Sequence, residues 1–393
     1  MLAVKQCLLL GIIVLFITPA VAQVSTTKTL LRGKVVDPNR AAIPGADIWA
    51  SAAGLPSMSA VTDQNGEFSL MLAPGEYQLR VNAEGFSEVT ENVNTRKTSQ
   101  ILELVLPVGA SSATVTITDI AAYGVNSISS ATKTLTALRD IPQSISIVTK
   151  EQIRDQSMSS VADVVAYVPG ITAHQGENNR DQLVIRGNNT SADFFLNGVR
   201  DDVQYYRDLY NVERVEALKG PNSMMFGRGG GGGVINRVTK EAGFSSLREI
   251  TLQGGSFANK RFTGDFDQPL GNKLAFRVNG LYENSDSFRQ GVDLERYGVN
   301  PTATLILGPK TALKVSYEHF YDRRVADRGI PSFQGRPVDV PIETFFGNPN
   351  NSTAFARVNL TSASVDHQAG RFNIRNRTMF GDYDRFYQNY VPG

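Results

Sequence analysis

The sequence predicts a mainly β protein in three parts: a small β-sandwich, then a loop-rich α+β unit, then the first strands of a transmembrane antiparallel β-barrel that is incomplete. Three observations predict this fold class. Residues 31–107 alternate apolar and polar side chains in short runs separated by turn residues. Residues 134–239 combine short β-type runs with helix-capping signals, and from residue 247 onward the alternation returns in longer segments.

The composition limits the class of protein. A chain of 393 residues is long enough for two or three domains. Its 39 Lys and Arg residues nearly balance 38 Asp and Glu residues, so no basic excess points to a nucleic-acid partner. Cys7 is the only cysteine and precedes the predicted cleavage site, so the mature chain has no disulfide, catalytic thiol or cysteine metal site.

The N-terminus has the pattern of a secretory signal peptide over residues 1–22. Lys5 supplies the positive charge, residues 8–17 form a short apolar run, and Ala20-Val-Ala22 has the small residues of a cleavage site. The run is too short to span a bilayer comfortably, and no later run of about 18 apolar residues exists. An exported chain of this kind can still be integral to a membrane if it closes a β-barrel.

The first predicted domain, residues 28–108, has a clear period of two. Three runs each place apolar residues on one face: Leu31, Gly33 and Val35; Phe68, Leu70 and Leu72; Tyr77, Leu79 and Val81. Turn sequences separate the runs at Asp63-Gln-Asn-Gly66 and Pro74-Gly75. Several short strands with this spacing predict a small β-sandwich.

The same segment resembles the carboxypeptidase regulatory-like domain. The residues that carry the resemblance are Gly33, Asp37, Pro44-Gly-Ala46, Thr62-Asp63, Gly66-Glu-Phe68, Pro74-Gly-Glu-Tyr77 and Gly85-Phe86. It implies a binding or spacer module and not a peptidase, because a zinc peptidase needs clustered His and Glu ligands and the first histidine is His174. Asp63-Gln-Asn-Gly66 is interpreted as a turn, since the glycine of a calcium-binding EF-hand would stand five residues after the first Asp.

Residues 113–119 predict an isolated β-strand between flexible flanks. The β-branched run consists of Thr114, Val115, Thr116, Ile117 and Thr118. A strand without neighbours leaves its N–H and C=O groups free to pair with the sheet edge of another protein. In position and character it resembles the TonB box of TonB-dependent receptors, which implies contact with TonB and its inner-membrane energising complex. The alternative is a last strand of the preceding sandwich.

Residues 130–242 predict an α+β unit of short elements. Thr149-Lys-Glu-Gln152 is a capping box that begins a helix after a strand at 144–148. Ser159-Ser160 offers the N-cap of a second helix through Val161, Val164, Val165 and Tyr167, which Pro169-Gly170 ends. Further strands are predicted at 183–187, 194–198, 212–218 and 234–239, with one helical turn at 221–226.

The motifs of this unit, taken in order, resemble the plug of TonB-dependent outer-membrane receptors of the siderophore-uptake type. They are Ile141-Pro-Gln-Ser-Ile-Ser146, Tyr167-Val-Pro-Gly170, Ile185-Arg-Gly187, Leu196-Asn-Gly198, Val212-Glu-Arg214, Gly220-Pro221 and Gly230 to Gly233 followed by Val-Ile-Asn236. A phosphate-binding loop does not fit, because the glycine run 229–233 is followed by Val-Ile-Asn and not by Gly-Lys-Ser/Thr.

The charged residues of the unit have two interpretations. They are Glu213, Arg214, Glu216, Lys219 and Arg237. Such residues ordinarily form a solvated face. The resemblance implies instead that they line the interface between plug and barrel, because the lumen of an outer-membrane barrel is polar.

The resemblance also implies where a ligand would bind. In related hydroxamate-siderophore receptors, ligand contacts come from the loop before the Ile-Arg-Gly match and from the aromatic pair before the Glu-Arg match. The corresponding ligand-binding candidates here are Tyr205, Tyr206, His174, Gln175, Arg180 and Asn188. Aromatic rings and arginine suit a bulky, partly anionic metal chelate that is gripped by its chelator. The alternative is that the two tyrosines only pack against the barrel wall.

Residues 246–393 predict a partial transmembrane β-barrel of about seven strands. Apolar residues alternate with polar ones, as in Phe262, Gly264 and Phe266 against Arg261, Thr263 and Asp265. Short turns are predicted at 271–273, 308–310 and 367–370. Longer polar loops are predicted at about 284–300 and 323–353.

The predicted barrel does not close within this sequence. Seven strands fall far short of the 22 that large outer-membrane transporters use. Unpaired backbone groups within a bilayer are costly. We therefore expect a fragment whose barrel strands form an open, curved sheet.

The predicted function is energy-coupled uptake of ferric siderophores across the outer membrane, with the N-terminal domain in the periplasm. Expected partners are TonB, the ferric siderophore as the transported ligand, and outer-membrane lipid; no other cofactor, resident metal or nucleic acid is expected. A TonB-dependent importer of glycans or another scarce nutrient is the nearest alternative. A surface β-sandwich adhesin is the alternative of another class. An enzyme is disfavoured, because no nucleophile–base pair or metal-ligand set is visible.

Overall fold

The computed structural model describes residues 28–52, 55–83, 85–96, 101–107, 123–174, 176–370 and 372–390. The predicted signal peptide, the TonB-box-like residues Thr114 to Thr118, and Gln175 lie outside the described residues. The chain is mainly β, as predicted. A three-stranded and a four-stranded sheet come first, then an α+β unit, and finally a sheet of seven long antiparallel strands.

The N-terminal domain is a sandwich of two small sheets. Its strands are β1 (Thr29–Val36), β2 (Asp47–Ala52), β3 (Leu55–Val61), β4 (Glu67–Leu72), β5 (Glu76–Asn82), β6 (Val89–Asn94) and β7 (Leu102–Val105). The sheet orders are β4-β1-β7 and β3-β2-β5-β6. The predicted apolar faces are buried between the sheets. Asp63 forms a turn, because its Oδ1 accepts from the N–H groups of Asn65 and Glu67 at 2.9 Å each.

The α+β unit consists of short elements. They are β8 (Ser127–Ile128), β9 (Thr136–Ala137), β10 (Ser144–Thr149), α1 (Lys150–Asp155), α2 (Val161–Val165), β11 (Ile171–His174), β12 (Gln182–Ile185), β13 (Asn188–Thr190), β14 (Phe194–Leu196), β15 (Val199–Arg200), β16 (Val212–Lys219), α3 (Ser223–Phe226) and β17 (Gly233–Thr239). The central sheet has the order β10-β16-β17-β14-β15, and β11-β12-β13 form a second sheet. Two 3-10 turns lie at Leu138–Asp140 and Gly176–Asn178.

The helices of this unit are short and capped as predicted. The Thr149 side chain accepts from the N–H of Gln152, and Ser160 and Asp163 form a reciprocal capping box. The second helix ends earlier than predicted, because Tyr167 and Val168 bond to carbonyls three residues back and tighten the chain before Pro169. Among the described residues, no helix is long and apolar enough to cross a membrane.

The C-terminal sheet consists of seven strands in sequence order. They are β18 (Leu247–Gly254), β19 (Lys260–Pro269), β20 (Leu274–Asp286), β21 (Asp293–Gly308), β22 (Thr311–Val325), β25 (Thr353–Ala369) and β26 (Phe372–Gln388). A hairpin, β23 (Ser332–Phe333) and β24 (Arg336–Pro337), lies in the loop after β22. Successive side chains along these strands alternate between an outward apolar face and an inward polar face. Phe262, Phe266 and Phe276 are at least 41% exposed, whereas Arg261 and Arg277 are at most 9% exposed.

The two ends of this sheet differ in their connections. Residues 270–273 and 309–310 are short turns at one end, and the long loop 326–352 lies at the other. The predicted long loop at 284–300 is wrong, because β20 continues to Asp286 and β21 begins at Asp293. The strands extend here because Glu283 and Arg296, which face inward on neighbouring strands, form an ion pair at 2.7 Å.

Candidate functional site

The α+β unit packs against the inward face of the seven-stranded sheet. Tyr210 stacks on Phe320 with a centroid distance of 6.5 Å, and its hydroxyl donates to Glu318 Oε1 at 3.2 Å. Leu196 and Val358 belong to the same buried apolar cluster. The unit therefore lies where the lumen of a barrel would be.

A buried ionic cluster lies at the centre of this interface; its members, here called the Asp201 cluster, are Asp181, Asp201, Tyr205, Arg207 and Arg237. Arg207 Nε lies 3.0 Å and Arg237 Nη2 2.8 Å from Asp201 Oδ2. The Tyr205 hydroxyl donates to the same oxygen at 2.9 Å, and Arg207 Nη1 lies 3.3 Å from Asp181. From the barrel sheet, the Tyr383 hydroxyl donates to Asp201 Oδ1 at 3.3 Å.

Burial and charge act in opposite directions on the acids of this cluster. Burial raises the pKa of a carboxyl group, but Arg207 and Arg237 outweigh it at Asp201 and hold the pKa of Asp201 below its usual range. At Asp181 burial dominates over Arg207 and raises the pKa. Burial, reinforced by the charge of Asp201, also raises the pKa of the Tyr205 hydroxyl well above its usual value. Tyr205 therefore stays a neutral hydrogen-bond donor.

A second cluster ties the unit directly to the barrel wall; we call it the Asp208 lock, and its members are Asp208, Arg261, Glu283 and Arg296. Asp208 lies 2.7 Å from Arg261 Nη2 and 3.0 Å from Arg296 Nη1. Glu283 pairs with the same two arginines at 2.6 and 2.7 Å. Burial would raise the pKa of Asp208, but Arg296 and Arg261 outweigh it and the pKa is lowered. One plug carboxylate and one wall carboxylate thus share two wall guanidinium groups.

The charged residues singled out from the sequence are largely buried and not solvated. Glu216 is fully buried, where it lies 2.8 Å from Arg214 Nε and accepts from Asn236 Nδ2. Glu213 pairs with Lys150 at 2.6 Å, within the same unit. These two ion pairs lie within the unit, whereas Arg237 belongs to the Asp201 cluster at the interface. The motifs did not single out Asp201 or Asp208.

A third group of polar residues lies at the end of the sheet that carries the long loop; we call Glu177, Asn178, Arg180, Tyr206 and Arg324 the outer cluster. Asn178 Nδ2 donates to the Val325 carbonyl at 3.4 Å, beside the start of the long loop. The Tyr206 hydroxyl donates to Asn178 Oδ1 at 3.3 Å, and the Arg324 guanidinium lies 3.9 Å from the centre of the Tyr206 ring. Arg180 Nη1 is 3.2 Å from Glu177.

The structure brings some of the ligand-binding candidates together and separates others. Tyr206 and Arg180 lie in the outer cluster, and burial raises the pKa of Tyr206 to about 12 against the opposing charge of Arg324. His174 is exposed at the end of β11, opposite Gln182. Asn188 lies at the other end of the hairpin, beside Gly232. Tyr205 is 2% exposed within the Asp201 cluster.

Sequence reasoning did not single out Arg324, which faces Tyr206, or Arg328, which lies 3.5 Å from Glu177. Arg324 has an inward position near the end of the alternating strand β22, and Arg328 follows the end of that strand, in Asp322-Arg-Arg-Val-Ala-Asp-Arg328; the alternation was the available signal for Arg324. Within the described ranges, no group of three or more His, Cys, Asp or Glu side chains is placed to hold a metal ion.

A folded domain held by buried charges against the polar face of an antiparallel sheet, whose other face exposes aromatic and aliphatic side chains, is the arrangement of a plug in an outer-membrane β-barrel. Residues 137–234 match the family model described as TonB-dependent Receptor Plug Domain, and residues 30–107 match the one described as Carboxypeptidase regulatory-like domain. The chain therefore contains the plug domain of TonB-dependent receptors with a regulatory-like domain ahead of it, as part of an outer-membrane β-barrel protein.

The chain is similar to known siderophore receptors. The probable TonB-dependent siderophore receptor PiuA of Acinetobacter baumannii is 30% identical over 261 residues, which cover 63% of this chain and 35% of that protein. The catecholate siderophore receptor Fiu of Escherichia coli K12 is 33% identical over 199 residues, which cover 49% of this chain and 26% of that protein. The crystal structure of PiuA superposes with a TM-score of 0.60 and 28% identity, over 64% of this chain and 38% of that one.

The matched region spans only part of these relatives. It covers 35% of PiuA and 26% of Fiu. Both relatives are receptors and neither is an enzyme.

Proposed function

We propose that this protein imports ferric siderophores across the outer membrane, with energy supplied through TonB. The observation that carries the proposal is the outer cluster, where an aromatic ring and two guanidinium groups meet at the long-loop end of the lumen. Two relatives whose names describe siderophore receptors support the same class of ligand.

The outer cluster has the chemistry that an anionic chelate requires. Tyr206 offers an aromatic ring, and Arg324 and Arg180, which pair here with Asp322 and Glu177, offer guanidinium groups that can turn to carboxylate, hydroxamate or catecholate oxygens. Arg385 adds a further cation, because it is on the inward register of β26 and electrostatically close to Arg180. The protein would hold the chelator and leave iron coordination to it. We assign Tyr206, Arg180, His174 and Gln175 to the ligand contact.

Tyr205 and Asn188 take different roles in this proposal. Tyr205 donates to Asp201 deep in the interface, so it supports the plug and does not face the ligand. Asn188 lies beside the glycine run. In this proposal it contacts the ligand only after the ligand has moved past the outer cluster.

Coupling to the inner membrane is assigned to Thr114–Thr118. An added strand is held by backbone hydrogen bonds, which can transmit a pulling force without a nucleotide at the outer membrane. Tyr123, the first described residue after this segment, bonds to Asp155 of α1 at 2.9 Å. Force applied to the segment therefore enters the plug along the backbone at Tyr123, which leads to β8 and whose side chain contacts α1.

Replacing Ile117 with proline abolishes uptake and leaves ligand binding unchanged. Proline removes one backbone N–H and disfavours pairing in a strand, so the added strand does not form. We expect uptake of radioactive ferric chelate by cells to fall at least about 10-fold, while binding to de-energised cells keeps its affinity. Ile117→Val is the matched control, since it keeps the β-branched side chain and the N–H. Normal uptake by the proline variant would assign coupling to another segment.

Replacing Tyr206 with alanine weakens ligand binding at the outer cluster. Loss of the ring removes a stacking surface and the packing that positions the Arg324 guanidinium, which also pairs with Asp322 (Nε to Oδ1, 2.8 Å), so we expect Kd to rise about 10-fold. Tyr206→Phe keeps the ring and serves as the control for the lost hydroxyl. Equilibrium binding to a panel of ferric catecholates, hydroxamates and carboxylates measures the effect. If none of these ferric chelates binds and growth depends on a glycan, the importer of glycans or another nutrient is favoured instead.

A further inference from the structure

The N-terminal sandwich is docked at the short-turn end of the barrel sheet, opposite the outer cluster. Side-chain hydrogen bonds join it to the rest of the chain. They include Lys310 Nζ to Asn39 Oδ1 (2.7 Å) and Gln368 Nε2 to Asp37 Oδ2 (3.1 Å) from the barrel, and Asn126 Nδ2 to Asp47 Oδ1 (2.5 Å) and Ser127 Oγ to the Gly45 carbonyl (3.2 Å) from the start of the plug.

A cavity of about 570 Å³ lies where the sandwich, the plug and the barrel sheet meet. Its volume is that of a small-molecule site, which is typically about 300–1,000 Å³. The sandwich contributes Asp47 and Asn82 to the walls, the plug contributes Asn197, and the barrel contributes Lys314 and Arg377. The walls are therefore polar and charged on all three sides.

One cation in this cavity is not matched by an acid. Lys314 and Arg377 share Glu241, at 2.7 and 3.9 Å. Lys133 stands over the ring of Phe226 at 4.7 Å, and among the described residues no carboxylate lies within ion-pair distance of it. Burial and the neighbouring charge of Arg377 lower the pKa of Lys133. An anionic group passing through the cavity would find a partner there.

The docking contact is largely polar. A side-chain hydrogen bond contributes about 0.5–1.5 kcal/mol, whether it is exposed, as between Lys310 and Asn39, or buried, as between Gln368 and Asp37. Leu135 is a plug residue that packs on the apolar core of the sandwich. Domains of one chain that meet through a polar contact are expected to move relative to one another.

We propose that the sandwich is a gate on the periplasmic side of this cavity. When docked, it forms one wall of a transit chamber for a polar, anionic small molecule; when it undocks, the chamber opens to the periplasm. The assignment of cargo rests on the proposed function, whereas the docking geometry does not. The sandwich thus controls release, and the outer cluster controls capture.

A cysteine pair at Asp47→Cys and Asn126→Cys tests the gate, because the two side chains touch across the contact. Cys7 lies in the predicted signal peptide, so it does not compete with the introduced pair. After oxidation, or after joining with a short bismaleimide, we expect uptake to fall at least about 10-fold with surface binding unchanged, and reduction of the disulfide to restore it. Equal uptake by the joined and reduced forms would overturn the gate.

Two further measurements test the gate independently of the proposed function. The control is a cysteine pair at Lys34→Cys and Glu103→Cys, which are opposite each other within the sandwich. Cross-linking this pair does not fix the sandwich to the plug, so uptake should stay normal. Val238→Cys, in the cavity wall, should react with a bulky maleimide from the periplasm before the first pair is joined by a disulfide and not afterwards. Equal labelling in the two states contradicts the gate, even for a protein that imports none of the chelates offered.

Discussion

Asp201→Asn lowers the free energy of plug opening by about 3–5 kcal/mol, the usual cost of removing one partner from a buried ion pair. Arg207 and Arg237, which are at most 2% exposed, both lie within 3.0 Å of this carboxylate. An amide is nearly isosteric, so the loss is one of charge and not of volume. Hydrogen exchange of the plug strands β14 and β16, followed by mass spectrometry, reports the opening free energy.

The neighbouring Asp202→Asn is the matched control. Asp202 lies at the surface, 4.0 Å from Arg200 and 3.7 Å from Arg228, so its removal should change the opening free energy by less than about 1 kcal/mol. The pH dependence gives a second check. Because the pKa of Asp201 is held below its usual value of 3.8, its contribution is present at pH 7 and is lost as the pH falls below that value. Wild type and Asp201→Asn should therefore converge in acid; similar exchange of both at pH 7 would show that the cluster does not hold the plug.

The alternation of the barrel was predictable because lipid and lumen impose opposite demands on successive residues. Phe262 and Phe276 face outward, and Arg261 and Arg277 face the plug, with no need for knowledge of the partner. The motifs likewise located the plug strands, since turns and glycines act locally. The strands within 284–300 were not predicted, because the polar residues there suggested a loop. Polar residues in this region face inward instead, as Glu283 and Arg296 do when they pair across two strands.

The ionic clusters could not be predicted, because each also needs members from distant parts of the chain that meet only in the fold. Asp181, Asp201 and Arg237 meet only after β14 has paired in parallel with β17. The separate roles of Tyr205 and Tyr206 could not be predicted either, because the two residues are adjacent in sequence and lie in different environments. One donates to Asp201 and the other lies under Arg324. Their position in the sequence predicted that both contact the ligand, whereas their packing against the wall gives them different roles.

The two interface clusters also differ in what they connect. The Asp201 cluster lies mainly within the plug and touches the wall through Tyr383. The Asp208 lock joins plug and wall by charge on both sides. The lock is therefore one of the ionic contacts that hold the plug to the wall, beside Lys240 with Asp265 at 3.0 Å and Glu241 with Lys314 at 2.7 Å.

Asp208→Asn should loosen the plug from the wall by about 3–5 kcal/mol, because Arg261 and Arg296 are left with only Glu283 between them. The readout is hydrogen exchange of residues 205–212 compared with the barrel strands, since the lock acts between them. A double-mutant cycle with Arg296→Gln should give a coupling energy of at least about 1 kcal/mol.

Asp384→Asn is the control for Asp208→Asn, since Asp384 forms an exposed pair with Arg357 at 3.4 Å and should have little effect. If Asp208→Asn changes exchange throughout the plug as much as Asp201→Asn does, the two clusters form a single unit and the lock has no separate role. If exchange rises only in residues 205–212 while β14 and β16 stay protected, the plug can leave the wall as a folded body, and pulling need not unfold it.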